Sequence, residues 1–229
     1  ESGIYILNGT NSLLQSNICE YNGAHGICVE DTALIMITKN DCYNNLDNGI
    51  YIENCSSSEV VENSFNQNRV YGIEIRDSPS SIFLKNELNS NWRGAYFFRC
   101  DFNNISTNTC EDSSSSGFVI TRCEQINFTN NLLSYNNEDG LDAFFIHNSV
   151  VENNTCIGNR IAGLSIRSAL NSTITFNNLT NNGLEIEESL TELYSTYTLY
   201  NNTINNLPFG FLLHLRDGTI TKEYGQILS

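Results

Sequence analysis

Three acidic residues and two arginines have the types and spacing best suited to act on a polar polymer such as a polysaccharide. They are Glu74, Asp139, Asp142, Arg99 and Arg122. Two carboxyl groups about 5 to 9.5 Å apart can serve as the acid and the base of a glycosidic cleavage. An arginine can bind a carboxylate in a fixed, bidentate geometry. Whether these side chains meet depends on the elements that carry them.

A second set of residues is suited to binding without cleavage. Aromatic rings stack on the flat faces of sugars, and charged side chains bind hydroxyl or carboxylate groups. We predict ligand contact at Tyr51, Glu74, Arg76, Trp92, Tyr96, Phe98 and Arg99. Two simpler interpretations stay open. The face could be solvated and passive, and Trp92 could be a local lid on the core.

The residues that must position these side chains form a repeat. Glycine followed by an apolar-x-apolar triplet recurs ten times, at Gly3, Gly26, Gly49, Gly72, Gly94, Gly117, Gly140, Gly163, Gly183 and Gly210. An asparagine follows in register, at Asn17, Asn40, Asn63, Asn86, Asn108, Asn131, Asn154, Asn177 and Asn202. A second asparagine column lies five residues further on. A fixed period of about 23 residues indicates a repeat architecture.

Each repeat contains three short apolar segments separated by polar turns. In the unit that starts at Gly49, the apolar pair Ile50 and Ile52 has the period of two that is typical of a strand with one buried face. Apolar residues also precede and follow the asparagine. This pattern predicts an all-β fold, a single-stranded right-handed parallel β-helix of about ten coils. The asparagines would form a structural ladder, since identical amides can hydrogen-bond from coil to coil.

The repeat restricts which candidate residues can cooperate. Residues two and four after each glycine should point outward, so Glu74 and Asp142 would share one stripe. Three coils separate them, which is roughly 14 Å at ~4.8 Å per coil and too far for a glycosidase pair. Asp139 and Asp142 are closer to each other, with Glu138 at the adjacent corner.

The Gly-Ile-x-Ile repeats and asparagine columns resemble those of NosD-like proteins and of the carbohydrate-binding and sugar-hydrolase β-helix group. That group includes pectate lyases, polygalacturonases and mannuronan epimerases, and the resemblance covers residues 1 to about 216. It implies a substrate or ligand on the outer face of a parallel sheet. The shared motif consists of core and corner residues, so it specifies a fold and not an activity.

Several catalytic motifs of these relatives are missing. The polygalacturonase-like Asp-Asp doublet is absent, and residues 71–74 only partly match the epimerase-like Tyr-Gly-Phe-Asp-Pro-His stretch. A copper-maturation role like that of NosD-like proteins would need clustered ligands, but His25, His147 and His214 belong to different coils. We therefore predict no cofactor and no metal.

Composition limits the partners and the compartment. A net charge of −15 and a pI near 4.4 argue against nucleic acid. No apolar run is long enough to span a membrane, and we predict an acidic extracellular or cell-surface protein. Eight Asn-x-Ser/Thr sequons make it a candidate glycoprotein: Asn8, Asn54, Asn104, Asn127, Asn153, Asn171, Asn178 and Asn201.

The positions of the eight cysteines follow the repeat, and the sequence has no Cys-x-x-Cys motif. We therefore expect free thiols in the core, with Cys28 alone facing outward.

We predict a β-helix domain over residues 1–216, followed at 217–229 by a terminal coil, a cap or a linker. The first functional interpretation is a non-enzymatic rigid spacer or adhesion segment that contacts carbohydrate. The alternative is a polysaccharide lyase, hydrolase or epimerase that uses the carboxylates of the same face. Besides a glycan, the expected partners are further repeats, neighbouring domains or a subunit at an uncapped end. An insertion between Gly183 and Asn202 is another candidate binding element.

Overall fold

A computed structural model describes residues 1–188, 193, 196–211 and 224–228. Within these residues the chain winds into a parallel β-solenoid in which most coils contribute one strand to each of three sheets. The predicted fold class is confirmed, and so is the placement of three apolar segments per repeat on three short strands.

The strands, in chain order, are β1 (Ile4–Leu7), β2 (Leu13–Gln15), β3 (Ile18–Glu20), β4 (Ile27–Glu30), β5 (Met36–Thr38), β6 (Asp41–Tyr43), β7 (Ile50–Glu53), β8 (Glu59–Val61), β9 (Tyr71–Arg76), β10 (Ile82–Leu84), β11 (Arg93–Phe98), β12 (Asn104–Ser106), β13 (Thr109–Glu111), β14 (Phe118–Thr121), β15 (Asn127–Thr129), β16 (Leu132–Ser134), β17 (Leu141–Phe144), β18 (Val150–Glu152), β19 (Thr155–Ile157), β20 (Leu164–Arg167), β21 (Thr173–Thr175), β22 (Asn178–Thr180), β23 (Leu184–Glu187), β24 (Thr198–Tyr200), β25 (Thr203–Ile204), β26 (Leu207–Phe211) and β27 (Gln226–Leu228).

Three stacks of these strands form the walls of the solenoid. Sheet 1 has the order β1-β4-β7-β9-β11-β14-β17-β20-β23, and sheet 2 has the order β2-β5-β8-β10-β12-β15-β18-β21-β24. Sheet 3 contains β3-β6 and β13-β16-β19-β22-β25. In the two coils between these segments, single bridges at Ser64 and Glu87 continue the stack.

The core is a narrow strip of apolar side chains, each placed above its equivalent in the previous coil. Ile50 and Ile52 are fully buried, and Phe97 packs edge-on against Phe83 at a ring distance of 4.9 Å. The repeat glycine is required by close approach of backbone. A Cβ on Gly49 would lie 2.7 Å from the carbonyl oxygen of Gly72, so even alanine would push neighbouring coils apart.

The first asparagine column forms the predicted ladder. In the third coil, the Asn63 backbone N–H and side-chain amide both donate to Oδ1 of Asn86 at 3.0 Å. The same amide also donates to the Ile37 carbonyl oxygen at 2.9 Å, one coil in the other direction. This pattern links Asn17 to Asn202 without interruption. Each ladder residue between these two ends therefore hydrogen-bonds to both neighbouring coils.

The second column is a ladder with one substitution. Asn68 N–H donates to Oδ1 of Asn91, and Asn136 amide donates to Oδ1 of Asn159. Between these segments Ser113 occupies the equivalent place and donates its N–H to Asn136 at 3.0 Å. A serine is tolerated there because the Cys110 thiol is within hydrogen-bonding distance of its hydroxyl.

The prediction of about ten coils needs a correction. Sheets 1 and 2 contain nine strands each, and the tenth glycine, Gly210, does not start another strand of sheet 1. It lies in β26, which pairs antiparallel with β25 and parallel with β27. The chain therefore folds back at this end of the solenoid. The predicted boundary at residue 216 and much of the predicted insertion after Gly183 lie outside the described residues.

All eight cysteines are free and buried, as the repeat pattern predicts. Cys28 lies on the outer face of sheet 1, yet it is only 5% exposed because it sits between Tyr5 and Tyr51 of the neighbouring coils. Cys28 therefore faces outward, as predicted, but its neighbours cover it. The asparagines of all eight sequons are exposed. Among the described residues, no helix has the length and apolar character needed to cross a membrane.

A ladder substitution should destabilise the fold. Asn131→Ala removes the donor to the Ile105 carbonyl and the acceptor of the Asn108 N–H, both at buried positions. We expect a loss of about 3 kcal/mol or more in the free energy of unfolding, since each buried group left unpaired costs ~1–3 kcal/mol. Denaturant unfolding measures this. Asn127→Ala, at an exposed position of the same coil, is the control and should change stability little. Equal losses in both variants would contradict the account.

Candidate ligand-binding face

The outer face of sheet 1 carries two stripes of side chains in strict coil-to-coil register. The first stripe contains Tyr5, Cys28, Tyr51, Glu74, Tyr96, Val119, Asp142, Ser165 and Glu185. The second contains Leu7, Glu30, Glu53, Arg76, Phe98, Thr121, Phe144, Arg167 and Glu187. Both stripes follow the predicted alternation. The candidate residues therefore occupy adjacent rows of one surface.

One corner of the solenoid departs from the repeat, and it lies beside this face. The step from Gly72 to Gly94 is one residue shorter than the step before it. In the structure β9 and β11 are six residues long, whereas the other strands of sheet 1 have four. The extra pairing joins Tyr71 to Arg93. The shortened corner thereby brings the side chain of Trp92 next to the ring of Tyr71.

Four aromatic side chains form a continuous surface at this place, which we call the aromatic platform: Tyr71, Trp92, Tyr96 and Phe98. The Tyr71 ring lies 5.7 Å from the ring of Trp92 and 5.5 Å from that of Tyr96, with the two tyrosine rings nearly parallel. Tyr96 is also nearly parallel to Phe98, at 6.5 Å. Trp92 is 42% exposed and the other three are partly exposed. The platform therefore presents apolar ring surface to solvent.

Arginines surround the platform and contact its rings. The guanidinium carbons of Arg76, Arg99 and Arg122 lie 5.8, 4.7 and 5.9 Å from the centre of the Phe98 ring. Arg93 lies 4.5 Å from the ring of Trp92. Such contacts favour a fixed position of the cation over the ring. They place hydrogen-bond donors all around an apolar surface.

Glu74 is engaged in positioning an arginine. Its carboxylate is buried, accepts a hydrogen bond from the Asn48 amide at 2.6 Å, and pairs with Arg76 at 2.7 Å. Arg99 is held in a similar way by Asp77, at 2.8 Å. Burial raises the pKa of both Tyr71 and Tyr96, so their hydroxyl groups stay protonated and can donate hydrogen bonds.

Tyr51, another predicted contact, belongs to the same stripe but not to the platform. Its ring stacks on His25 at 5.1 Å, and its hydroxyl donates to Glu53 at 2.8 Å. Glu74 lies between Tyr51 and Tyr96 in the stripe. Tyr51 can therefore contact only a ligand that extends beyond the platform toward the N-terminal coils.

A group of carboxylates lies on the same face, further toward the C-terminal coils. Asp139 is half-buried and accepts a hydrogen bond from the Ala162 N–H at 2.9 Å. Burial, with a smaller contribution from the nearby carboxylates Asp142 and Glu185, raises its pKa to about 6. Asp142 pairs with Arg167, and Glu138 accepts a hydrogen bond from Ser115.

These contacts show which of the candidate catalytic residues lie close together. Asp139 and Asp142 belong to one coil and influence each other electrostatically, while Glu74 lies three strands away in sheet 1. The ion-pair partner of Asp142 is Arg167, a residue that the sequence interpretation did not single out. His214 lies outside the described residues. Among the residues that are described, no three His, Cys, Asp or Glu side chains are grouped so that they could hold a metal ion.

The sequence interpretation missed Tyr71 and Arg93, both of which belong to the platform and its surroundings. They directly precede the repeat glycines Gly72 and Gly94, at corner positions outside the two outward stripes. The 22-residue step was the available signal, because a one-residue deletion at a corner changes which side chains meet across it.

The chain resembles known proteins in its sequence pattern and in its fold. The family model described as "Right handed beta helix region" matches residues 1–109 and 85–223. No curated protein matches the sequence. Solved structures with a similar fold include the periplasmic alginate epimerase AlgG, with a TM-score of 0.71 and 18% identity over 82% of this chain and 48% of that one.

Two further structures share the fold at lower similarity. The A-module of the Azotobacter vinelandii mannuronan C-5 epimerase AlgE4 has a TM-score of 0.53 and 14% identity, over 89% of this chain and 72% of that one. ORF18 of Geobacillus virus E2 has a TM-score of 0.50 and 9% identity, over 89% of this chain and 53% of that one. The chain spans about half the length of AlgG. At these identities the likeness shows the fold alone.

The pKa of Asp139 should be visible in the pH dependence of stability. The carboxyl group has an ordinary pKa of 3.8 and a pKa of about 6 in the folded protein, so folding favours its protonated form. Its contribution to stability is present below pH 3.8 and is lost as the pH rises through 6. We expect wild type to lose stability relative to Asp139→Asn over this range, as measured by denaturant unfolding. Parallel curves for the two proteins would contradict the assignment.

Proposed function

The chain belongs to the right-handed β-helix family, and from this premise we propose that it binds a polysaccharide on the outer face of sheet 1 without cleaving it. The observation that carries the proposal is the aromatic platform, in which the rings of Tyr71, Tyr96 and Phe98 are nearly parallel and Trp92 extends the surface. Partly exposed aromatic rings with polar groups at their margins are suited to the alternating apolar and hydroxylated surface of a sugar.

The spacing of the platform also suits a polymer. Tyr71 and Trp92 lie at the N-terminal ends of β9 and β11, and Tyr96 and Phe98 follow along β11. Neighbouring strands are ~4.8 Å apart, so a ligand that runs along the solenoid axis meets a new row of side chains at each coil. Tyr51 would then contact the same polymer beyond Glu74.

The face is open to solvent, which favours ligand binding over catalysis in an enclosed cleft. In residues 1–188, short corners join consecutive strands, and no long loop interrupts them to wall off a cleft. Catalytic sites exclude water to strengthen their electrostatic interactions, and a flat exposed face does not do so.

The known relatives agree with a polysaccharide ligand and suggest a location. AlgG and AlgE4 are named as epimerases of alginate and mannuronan, and AlgG is periplasmic. We propose that this chain likewise acts outside the cytoplasm, at the cell surface or in a periplasm, with its exposed sequons open to glycosylation in a secretory host. Nine stacked coils, on the order of 40 Å long, would serve as a rigid spacer that presents the face.

Removal of a single platform ring should weaken binding. We expect Trp92→Ala and Tyr96→Ala each to weaken polysaccharide binding by about tenfold, because each lost ring contact is worth ~1 kcal/mol or more. A glycan array, followed by affinity electrophoresis on the glycans that bind, measures this. Tyr200→Ala is the matched control: its ring is 49% exposed on sheet 2 and should not affect binding. Unchanged affinity in both platform variants would refute the proposal.

A second candidate function is polysaccharide cleavage, and the raised pKa of Asp139 is what favours it. A carboxyl group with a pKa of about 6 can donate a proton to a leaving glycosidic oxygen near neutral pH. Asp142, held by Arg167, could accept the proton of an attacking water. A pair of carboxyl groups is the usual acid and base of such a reaction.

Turnover assays decide between the two functions. Reducing-sugar and unsaturated-uronate assays on glycans that bind should show no product if the face only binds. Asp139→Asn and Asp142→Asn should then leave affinity within about twofold, since neither residue belongs to the platform. Product formation that disappears in Asp139→Asn, and persists in the exposed control Asp112→Asn, would establish the enzymatic alternative and overturn the non-enzymatic one.

A further inference from the structure

A charged groove lies beside the aromatic platform, around the corner that follows the second stripe. Arg99 and Arg122 each have a left-handed backbone, with φ of 54° and 55°, which turns the chain away from sheet 1 directly after β11 and β14. We call this depression the side groove. Its lining residues are Arg99, Asp101, Arg122, Glu124, Phe145 and His147.

We propose that the side groove binds an oxyanion, a carboxylate or a sulfate ester, that projects from the glycan lying on the platform. The proposal rests on the proposed function and specifies it: the ligand is an acidic polysaccharide. Phe98 connects the two surfaces, because its ring belongs to the platform and is contacted by the guanidinium groups of Arg99 and Arg122.

Arg122 is the residue available to bind the anion. The arginines Arg76, Arg99 and Arg167 each pair with a carboxylate of this face. Arg122 has no such partner among the described residues, and it is exposed. Its guanidinium carbon lies 5.9 Å from the Phe98 ring centre, which leaves the planar fork of N–H donors free for a bidentate oxyanion.

His147 supplies a second donor in the same groove. Its Nδ1 accepts a hydrogen bond from the Leu170 N–H at 3.1 Å. In the neutral ring the proton is therefore on Nε2, which becomes a hydrogen-bond donor. The Phe145 ring packs edge-on against His147 at 6.1 Å and forms an apolar wall. An oxyanion between Arg122 and His147 would be bound from both sides.

The acidic lining residues affect how strongly the groove can bind an anion. Asp101 is already engaged, because it accepts the Glu124 N–H at 2.8 Å. The Glu124 carboxylate has no ion-pair partner among the described residues and would oppose a bound anion. The chain as a whole carries a net charge of −15, so an acidic polymer is attracted only where arginines are concentrated. Five of its eleven Lys and Arg residues lie on this face and its edges, namely Arg76, Arg93, Arg99, Arg122 and Arg167.

The test uses three hexasaccharides that differ only at one substituent. They are β-1,4-mannohexaose, the β-1,4-mannuronate hexamer, and mannohexaose sulfated at O6, and calorimetry measures their binding to the intact protein. Wild type should bind at least one anionic hexamer more tightly than the neutral one. Arg122→Gln should lose about tenfold in affinity for that hexamer, because charge-assisted hydrogen bonds contribute about this much, and none for the neutral one. Whether carboxylate or sulfate is preferred identifies the oxyanion.

Two further variants complete the test. Glu124→Gln should strengthen anion binding, since it removes an opposing charge, and Arg160→Gln, which removes an exposed arginine elsewhere on the chain, should change nothing. Equal binding of neutral and anionic hexamers, or an anion affinity unchanged in Arg122→Gln, would overturn the inference. If Trp92→Ala still weakens binding in that case, the proposed function stands. If wild type binds none of the three, both proposals fail.

Discussion

The hydrogen bonds of a buried amide, repeated in every coil, are the constraint on which this structure depends. The Asn63 side chain satisfies the Asn40 N–H and the Ile37 carbonyl of the preceding coil, and its amide donates to the Asn86 side chain of the next coil. The other ladder asparagines between Asn17 and Asn202 repeat this pattern. A ladder asparagine can make these bonds only if the next coil also has an asparagine at the equivalent position. The ladder therefore fixes the register of all three sheets. The register in turn sets which outward side chains become neighbours.

The same constraint explains where a functional surface can arise. Residues of the core and the ladder cannot vary without leaving buried polar groups unpaired or neighbouring coils in collision. Outward residues and corner lengths are free to vary. At Trp92 the chain uses this freedom: one residue is missing from the corner, while Asn91 and Gly94 on either side keep their positions. The aromatic platform is thus a local change in a surface whose frame stays fixed.

The sequence predicted the frame well and the site only in part. Glycines, apolar pairs and asparagines recur in fixed columns, so their burial and register follow from the period alone. The roles of single outward residues do not follow from it. Glu74 has the sequence position of a candidate acid, yet burial beside Asn48 and Arg76 makes it a positioning residue. Asp139 gains its raised pKa from burial first and then from the nearby carboxylates Asp142 and Glu185. Gly210 matches the repeat but lies in an antiparallel pairing.

Together these observations describe a solenoid with exposed rings on the outer face of sheet 1 and arginines at the margin, and they support our proposal that this face holds a polysaccharide. Trp92 is the only tryptophan of the chain, so its fluorescence reports on the platform without interference. The most direct measurement is a titration of this emission with the mannuronate hexamer, alongside calorimetry. The account predicts a saturable change in emission with the same dissociation constant that calorimetry gives. Calorimetric binding with no change in Trp92 emission would place the ligand elsewhere and contradict it.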